Sequence, residues 1–403
     1  MAELINSRDA LVDKVVLYDI RVCDFWSLED LEKQGIVTVN RCNSAGMIFT
    51  DRGEAYSSLV LGKCALFDAF SVRCGRKNGY PFAYSRLELS IDRGNGTFNL
   101  NCWTIAEVKE RLKAIERYLS DEWDILIDTD CTKLKTIEIN KTIELDEEYP
   151  SYLRPLTTLQ RLLPKGKQKN AKTVGIEQIE ANDDPHKSFY GGNEWEKIKI
   201  YDKSHQINDR KKKQIASIKR EATKERQTSL INEWDDIDAR AKREITRIIL
   251  IEGNYLRFEL TLQSTKVKEV FGTNAIASIT DEAINDFFND WIDKNVAQKW
   301  ELFQKKRQKQ LKKVVKEEWK KDEADFIENL LLRCFNAEDV TGLPLMMDVA
   351  EVQPLLRTII KNDRNKRYRI YKRLQQKCAQ KYGEKFVQND EKKAEEIVEK
   401  LSR

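Results

Sequence analysis

Tyr201 lies in a short segment whose residue types could support nucleophilic chemistry on a phosphate. The sequence EWEKIKIYDKS alternates charged and apolar residues, which is typical of a half-buried strand. Alternate residues of a strand share a face, so Lys199 and Lys203 are expected beside Tyr201. Neighbouring ammonium groups favour the phenolate of a tyrosine and bind phosphate. An edge strand with a solvated row of lysines has the same pattern, and spacing alone does not choose between the two interpretations.

Three glutamates lie inside predicted strands with apolar neighbours: Glu88 in SRLELSI, Glu138 in KTIEINK and Glu259 in LRFELTL. A carboxylate in the interior of a sheet needs a partner or a metal ion. Each has a basic residue close by in the sequence, so an ion pair is one alternative. If the three converge, their oxygens suit a hard divalent cation, Mg²⁺ or Mn²⁺.

Histidine and cysteine patterns argue against several other kinds of site. The chain has two histidines, His186 and His205, and the sequence contains no zinc-type histidine pair or triad. Its eight cysteines include no C-x-x-C pair, which argues against a zinc ribbon or a thioredoxin-like site. The sequence also has no P-loop and no G-x-S-x-G. Helicase, protease and hydrolase functions therefore lack support.

The elements that must position these residues change along the chain. With 403 residues, 40% of them hydrophobic, it is long enough for two or three domains. Residues 1–165 are rich in strand signals, which one predicted helix interrupts. Thr104 and Glu107 form a capping box at the start of this helix. Residues 166–265 hold the two strands around Tyr201 and Glu259. Residues 266–403 have a helical pattern. We therefore predict an α+β fold of three regions.

Charge is distributed unevenly, although 71 basic residues nearly cancel 67 acidic ones. Residues 208–247 are highly charged and predict one or two exposed helices inserted between the two strands. The C-terminal helical region has basic stretches, which are often only solvated helix faces but can also bind phosphates. The predicted DNA-binding residues there are Lys366, Arg367, Arg369, Lys372 and Arg373.

The sequence WEKIKIYDKSHQI, followed by YLRFELTL, resembles the paired motifs of the filamentous-phage nicking-endonuclease family of phage and plasmid replication proteins. That family has a K-x-Y-x-K-x-x-E strand, an insert, and then L-R-x-E-x-x-L. LKTIEINKTIELDEEYPSYLRPL is similar to the family's upstream strand. The likeness spans roughly residues 80–270 and extends to the rolling-circle initiators of small plasmids. It implies an antiparallel-sheet nuclease core of the rolling-circle-initiator type.

The resemblance also implies a reaction and a set of roles. Such proteins nick one strand of an origin with a tyrosine that stays attached to the 5′ phosphate, and they later rejoin the strand. Tyr201 would be the nucleophile, flanked by Lys199, and Lys203 would hold the phosphate or assist proton transfer. Glu259 and Arg257 match the acid and the arginine of the second motif, with Arg257 expected to contact DNA. Glu138 stands where the family has an aspartate.

One departure affects the expected metal site. The family motif ends in glutamate, whereas Lys203 is followed by Ser204, His205 and Gln206. His205 would then replace the acid as a metal ligand or base. The expected ligand set is Glu138, Glu259, Glu88 and His205, with Mg²⁺ or Mn²⁺ as the ion.

The leading hypothesis is a rolling-circle DNA replication initiator, with Tyr190 as the nearest candidate for a second tyrosine. Its partners would be origin DNA, single-stranded or supercoiled, and a host helicase and polymerase. A non-enzymatic origin-binding or regulatory protein is the alternative, and a scaffold of charged helices is a third. The charged N-terminus lacks the pattern of a signal peptide, and no apolar run approaches the roughly 20 residues of a membrane helix, so a cytoplasmic location is expected.

Overall fold

The fold is known from a computed structural model of the chain. The structure describes residues 9–24, 37–40, 48–49, 55–61, 67–77, 80–91, 102–123, 126–130, 132–164, 184–248, 250–319, 322–331, 349–382 and 390–403. Side chains are described for most of these residues, but not for 19–24 or for the strands between 37 and 91.

One antiparallel sheet organises the first part of the chain. Its strands are β1 Leu11–Asp24, β2 Val37–Asn40, β3 Ile48–Phe49, β4 Ala55–Leu61, β5 Phe67–Lys77, β6 Tyr80–Ile91, β7 Leu126–Asp128, β8 Lys133–Glu144, β9 Phe189–Gly192, β10 Glu196–Asp202 and β11 Tyr255–Gln263. The strand order is β2-β4-β5-β6-β1-β8-β11-β10-β9, with β3 paired to β4 and β7 to β1. Strands β8, β11 and β10, which carry the candidate site, are therefore neighbours.

These three strands separate apolar from polar residues by face. On β11, Leu256, Phe258, Leu260 and Leu262 are buried in the core, and Arg257, Glu259 and Thr261 alternate with them. The same alternation on β8 and β10 places isoleucines on the core face. Because residues paired across strands share a face, the register collects the polar side chains on the other face. The predicted combination of helices with an antiparallel sheet is confirmed.

The helices lie between and after the strands. They are α1 Ile105–Trp123, α2 Leu153–Leu162, α3 Lys203–Thr228, α4 Trp234–Thr246, α5 Ser264–Phe271, α6 Asp281–Ile292, α7 Gln298–Glu318, α8 Glu323–Leu330, α9 Val352–Ile359, α10 Arg364–Tyr382 and α11 Asp390–Ser402. The capping box of α1 is confirmed: Thr104 N donates to Glu107 Oε2 at 2.8 Å, and Glu107 N donates to Thr104 Oγ1 at 3.1 Å.

Among the described residues, two hydrophobic clusters hold these elements together. The first combines the sheet core with α1, α2, α6 and α11, so all three predicted regions contribute to it. The second spans residues 311–378 and joins α7, α8, α9 and α10. Helix α7 links them, because Trp300 lies in the first cluster and Leu311, Val314 and Val315 lie in the second.

Helix α11 returns to the sheet from the far end of the chain. Its Ala394, Ile397 and Leu401 are buried in the first cluster. The backbone oxygen of Leu401 accepts a hydrogen bond from the buried Lys141 Nζ on β8 at 3.1 Å. Arg154 on α2 lies 2.7 Å from Asp390, so charged contacts reinforce the apolar ones.

Candidate active site

The polar face of β8, β11 and β10 brings the predicted tyrosine and two of the predicted acids together. Tyr201 pairs with Arg257, and Lys199 pairs with Glu259. Across the next strand Glu138 pairs with Thr261, which makes Glu138 and Glu259 diagonal neighbours on one face. Such diagonal side chains are within reach of one another. The site is therefore built on regular strands, whose register fixes the positions of its groups.

Tyr201 is buried, and its hydroxyl contacts charged side chains. The side chain is 3% exposed. Its hydroxyl donates to Glu259 Oε1 at 2.6 Å and accepts from Lys203 Nζ at 3.4 Å. Lys199 Nζ lies 4.0 Å from the ring centroid. Burial raises the pKa of Tyr201 far above its ordinary value, the Glu259 carboxylate adds to the increase, and Arg257 opposes it. The phenol is therefore protonated in this arrangement.

Lys203 reaches the hydroxyl from a helix and not from the strand predicted for it. Strand β10 ends at Asp202, whose side chain accepts the His205 backbone N–H at 2.8 Å and caps α3. The ammonium group still points back to Tyr201 and also donates to Gln206 Oε1 at 3.1 Å. Burial, with the repulsion of Arg257, lowers the pKa of Lys203 to about 7. Lys203 can therefore exchange a proton near neutral pH.

Arg257 and Asp13 form the centre of the charge network under the site. Arg257 is fully buried, with Nε donating to Thr142 Oγ1 at 2.9 Å and Nη1 lying 3.7 Å from Asp13 Oδ2. Asp13 lies where the register of β1 against β8 shifts, and such a bulge redirects a side chain. It also accepts a hydrogen bond from Cys102 Sγ at 3.8 Å. Asp13 and Cys102 were not predicted as site residues, because an alternating sequence pattern does not reveal a bulge.

Glu138 and Glu259, two of the acids predicted as metal ligands, repel each other on this face of the sheet. Burial, with the repulsion of Glu259 and Asp13, raises the pKa of Glu138 to about 7. Glu88 lies opposite Val16, which lies opposite Thr136, so its position in the register is on the face of Glu138. The side chain of Glu88 is outside the described residues. Among the side chains that the structure describes, no three acids, histidines or cysteines are grouped closely enough to hold a metal ion by themselves.

The raised pKa of Glu138 predicts how the stability of the fold depends on pH. Folded Glu138 binds more protons than the unfolded chain between about pH 4.5 and 7, so its contribution to stability falls as pH rises through that window. We expect Glu138→Gln to raise the free energy of unfolding by on the order of 2 kcal/mol at pH 8 and to leave it nearly unchanged at pH 4.5. Urea titrations at both pH values measure this. The exposed Glu194→Gln is the control, and a gain of equal size at both pH values would contradict the prediction.

His205 lies in a separate group with His186. The two rings stack with centroids 3.7 Å apart and planes at 7°. His186 Nδ1 lies 2.6 Å from Asp202 Oδ2. Asp202 pairs with Leu256 on the core face of the sheet, opposite to the face of Tyr201. The structure therefore places His205 with His186 and not with Glu138 and Glu259.

The predicted DNA-binding residues of α10 make several kinds of contact within the protein. Arg369 and Arg373 both bind Glu323 on α8, at 3.0 and 2.9 Å. Arg367 donates to the backbone oxygens of Ile360 and Lys361, which closes the turn before the helix. Lys366 Nζ lies 5.1 Å from the centroid of the Trp319 ring, and Lys372 Nζ lies 5.8 Å from that of Tyr368. Arg257, predicted to contact DNA, lies beneath the candidate site instead of on its surface.

Comparison with known proteins gives little independent guidance. No protein-family model and no curated protein matches the sequence. A solved structure of a rolling circle replication initiator protein from Geobacillus stearothermophilus is similar over 72% of this chain and 85% of its own, with 11% identity and a TM-score of 0.29. Within the described residues, no helix has the length and apolar character needed to cross a membrane. A TM-score of 0.29 is too low to carry a functional argument, so the function proposed for this chain rests on its own residues and their contacts.

Proposed function

We propose that this chain is a rolling-circle replication initiator that nicks one DNA strand with Tyr201 and later rejoins it. The observation that carries the proposal is the pairing of the Tyr201 hydroxyl with Glu259 at 2.6 Å, with two lysines beside the same phenol. A nucleophile next to a base and next to cations is the arrangement that phosphoryl transfer needs. Origin DNA is the proposed substrate, and a host helicase and polymerase are the proposed partners in the cytoplasm.

The chemistry would proceed by transesterification. Glu259 accepts the phenol proton as Tyr201 Oη attacks the phosphorus, and the bond from phosphorus to the 3′ oxygen breaks. The 3′ oxygen takes a proton from water, and the 5′ phosphate stays bound to Tyr201. Lys203 and Lys199 stabilise the phenolate and the charge that develops on the phosphate. Reversal by a 3′ hydroxyl rejoins the strand, and because the phosphotyrosyl bond conserves the bond energy, no nucleotide triphosphate is needed.

A divalent ion is part of the proposal, with Glu138 and Glu259 as the groups that would hold it. Mg²⁺ is commonly bound by one or two carboxylates together with substrate phosphates and water. The two acids fit this pattern, because they are diagonal neighbours on one face of the sheet, and burial together with repulsion from Glu259 and Asp13 raises the pKa of Glu138. When bound, the ion would polarise the scissile phosphate.

The buried position of Tyr201 favours a second candidate function, a DNA-binding protein without nicking activity. A phenol that is 3% exposed and donates to a buried carboxylate also suits a purely structural role. In that case the charge network would stabilise the sheet, and the basic helices alone would bind the origin.

Mass spectrometry of a trapped protein–oligonucleotide adduct distinguishes the two functions. The chain is incubated with single-stranded and supercoiled DNA carrying the origin of its own replicon, with Mg²⁺, with Mn²⁺ and with EDTA. We expect a tryptic peptide containing Tyr201 to carry a 5′-phosphorylated nucleotide in the metal samples and to be unmodified with EDTA. An adduct on another residue would contradict the assignment of Tyr201. Binding of the origin without any adduct would support the non-enzymatic function.

A further inference from the structure

Helix α7 carries a row of lysines on its exposed face. On its inner face Trp300, Leu311, Val314 and Val315 are buried, whereas Leu302 is exposed. The outward positions form the lysine stripe, which consists of Lys305, Lys306, Lys309, Lys312, Lys313 and Lys316, all exposed. This face lies on a different helix from the predicted DNA-binding residues of α10.

The lysine stripe has the length of a short run of phosphates. A helix rises 1.5 Å per residue, so Lys305 and Lys316 are separated by about 16 Å along the axis. The phosphates of one strand of DNA advance about 3.4 Å each along the duplex, so the stripe spans about five of them. Its spacing of three and four residues keeps Lys305, Lys309, Lys312 and Lys316 on one side of the helix.

Most lysines of the stripe have no ion-pair partner within the part of the chain that the structure describes. Lys305 lies beside Glu301, and Lys313 lies 3.9 Å from Glu317. For the other four lysines of the stripe, no carboxylate among the described residues lies within ion-pair distance. Like charges three and four residues apart destabilise a helix, so the stripe weakens α7 unless an anion covers it.

Other helices contrast with α7 in this respect. On α10, Arg369 and Arg373 share Glu323. On α11, Lys400 contacts Asp146 and Glu396, both at 2.7 Å. These three cations are therefore paired inside the molecule, whereas four lysines of the stripe have no ion-pair partner among the described residues.

The inner face of α7 holds the stripe in place. Arg307 is fully buried and contacts Gln304, Glu351 and Glu391, which tie α7 to the segments before α9 and at the start of α11. The helix also belongs to both hydrophobic clusters. Because α7 cannot rotate without breaking these contacts, its lysines face outward as a fixed row.

We propose that the lysine stripe of α7 binds the phosphate backbone of DNA without reading its sequence. The inference takes its ligand from the proposed function and assigns a surface to it. A membrane is a poorer match, because a helix that lies on lipid also inserts its apolar face, and that face of α7 is used in the core. DNA matches because phosphates repeat at a regular spacing along an extended partner.

The test compares two variants of the full chain in which four lysines are replaced by glutamine. The stripe variant changes Lys306, Lys309, Lys312 and Lys316. The control variant changes four exposed lysines on other helices: Lys212, Lys219, Lys268 and Lys392. Both remove the same charge from the surface and leave the core intact, so circular dichroism should be unchanged. Fluorescence anisotropy with a labelled duplex of about 20 base pairs of arbitrary sequence, in EDTA, gives the affinity across a range of KCl concentrations.

We expect the stripe variant to bind at least ~10-fold more weakly than the wild type at low salt, and the slope of log K against log salt to shrink by about 3 to 4. The control variant should change the slope by less than about 1. Equal losses in the two variants would show a general effect of net charge and overturn the proposal. The proposal would also be overturned if the stripe variant lost as much affinity for poly-L-glutamate as for DNA, because an acidic protein would then fit the stripe equally well. The proposal would likewise be overturned if the wild type had no affinity for the duplex.

This experiment is independent of nicking. If the stripe variant loses DNA affinity and the wild type forms no adduct, the surface assignment stands and the nicking function fails. If the wild type forms the Tyr201 adduct and the stripe variant binds normally, the surface assignment fails alone.

Discussion

We expect Tyr201→Phe to abolish covalent attachment to DNA and to lower the rate of origin nicking by at least ~1,000-fold, because the substitution removes the attacking oxygen and nothing else. The ring, its contact with Lys199 and its place in β10 are kept. A supercoiled origin plasmid with Mg²⁺ measures nicking by gel electrophoresis, and denaturing gels measure the adduct.

Tyr190→Phe is the matched control. Tyr190 lies on the neighbouring strand β9 opposite Lys199, and its side chain is 58% exposed. We expect this variant to nick at the rate of the wild type. If the adduct forms normally in Tyr201→Phe and is lost in Tyr190→Phe, the nucleophile is Tyr190 and the role of Tyr201 is structural. DNA binding by Tyr201→Phe should equal that of the wild type, which separates a chemical defect from a folding defect.

The largest effect on stability is expected for Arg257→Met. Arg257 is the buried cation that faces Asp13, Tyr201 and Glu259, so its removal leaves buried negative charge without compensation. Breaking a buried charge pair in this way costs about 3–5 kcal/mol of unfolding free energy. Urea titration monitored by circular dichroism checks the value.

Two further variants test whether the loss of stability comes from the buried contact between Arg257 and Asp13. Arg240→Met removes an exposed arginine on α4 that lies 2.7 Å from Glu225, and its urea midpoint should match that of the wild type. Asp13→Asn added to Arg257→Met should recover part of the lost stability, because the uncompensated carboxylate is gone. Simple addition of the two single effects would indicate that Asp13 and Arg257 do not interact, and would contradict the network described here.

Much of the site could be predicted from local alternation. A period of two placed Lys199 and Tyr201 on one face of a strand and Glu259 on one face of the next, since the side-chain direction of a strand depends only on the sequence beside it. Which strands are neighbours was not accessible in this way. Strand β8 is next to β11, more than 100 residues later in the chain, and this pairing brings Glu138 to Glu259.

Other features depended on competition between local signals. The alternating pattern continues to Lys203, but Asp202 is a good helix N-cap before 26 helical residues, and the cap ends the strand one residue earlier. Asp13 was missed because a register shift in β1 redirects it. The stacking of His186 on His205 joins residues on either side of two strands, and nothing in the spacing of the two histidines indicates it.

Because α11 packs in the first hydrophobic cluster, that cluster can be completed only late in the synthesis of the chain. A ribosome releases the strands that carry Tyr201 first, yet the residues of α11 that complete the cluster beneath them are made some 190 positions later. The second cluster, whose described members all lie between residues 311 and 378, can assemble in the interval. The first cluster is therefore complete only when translation has passed residue 401, and a chain released before that point would carry its tyrosine above an incomplete core.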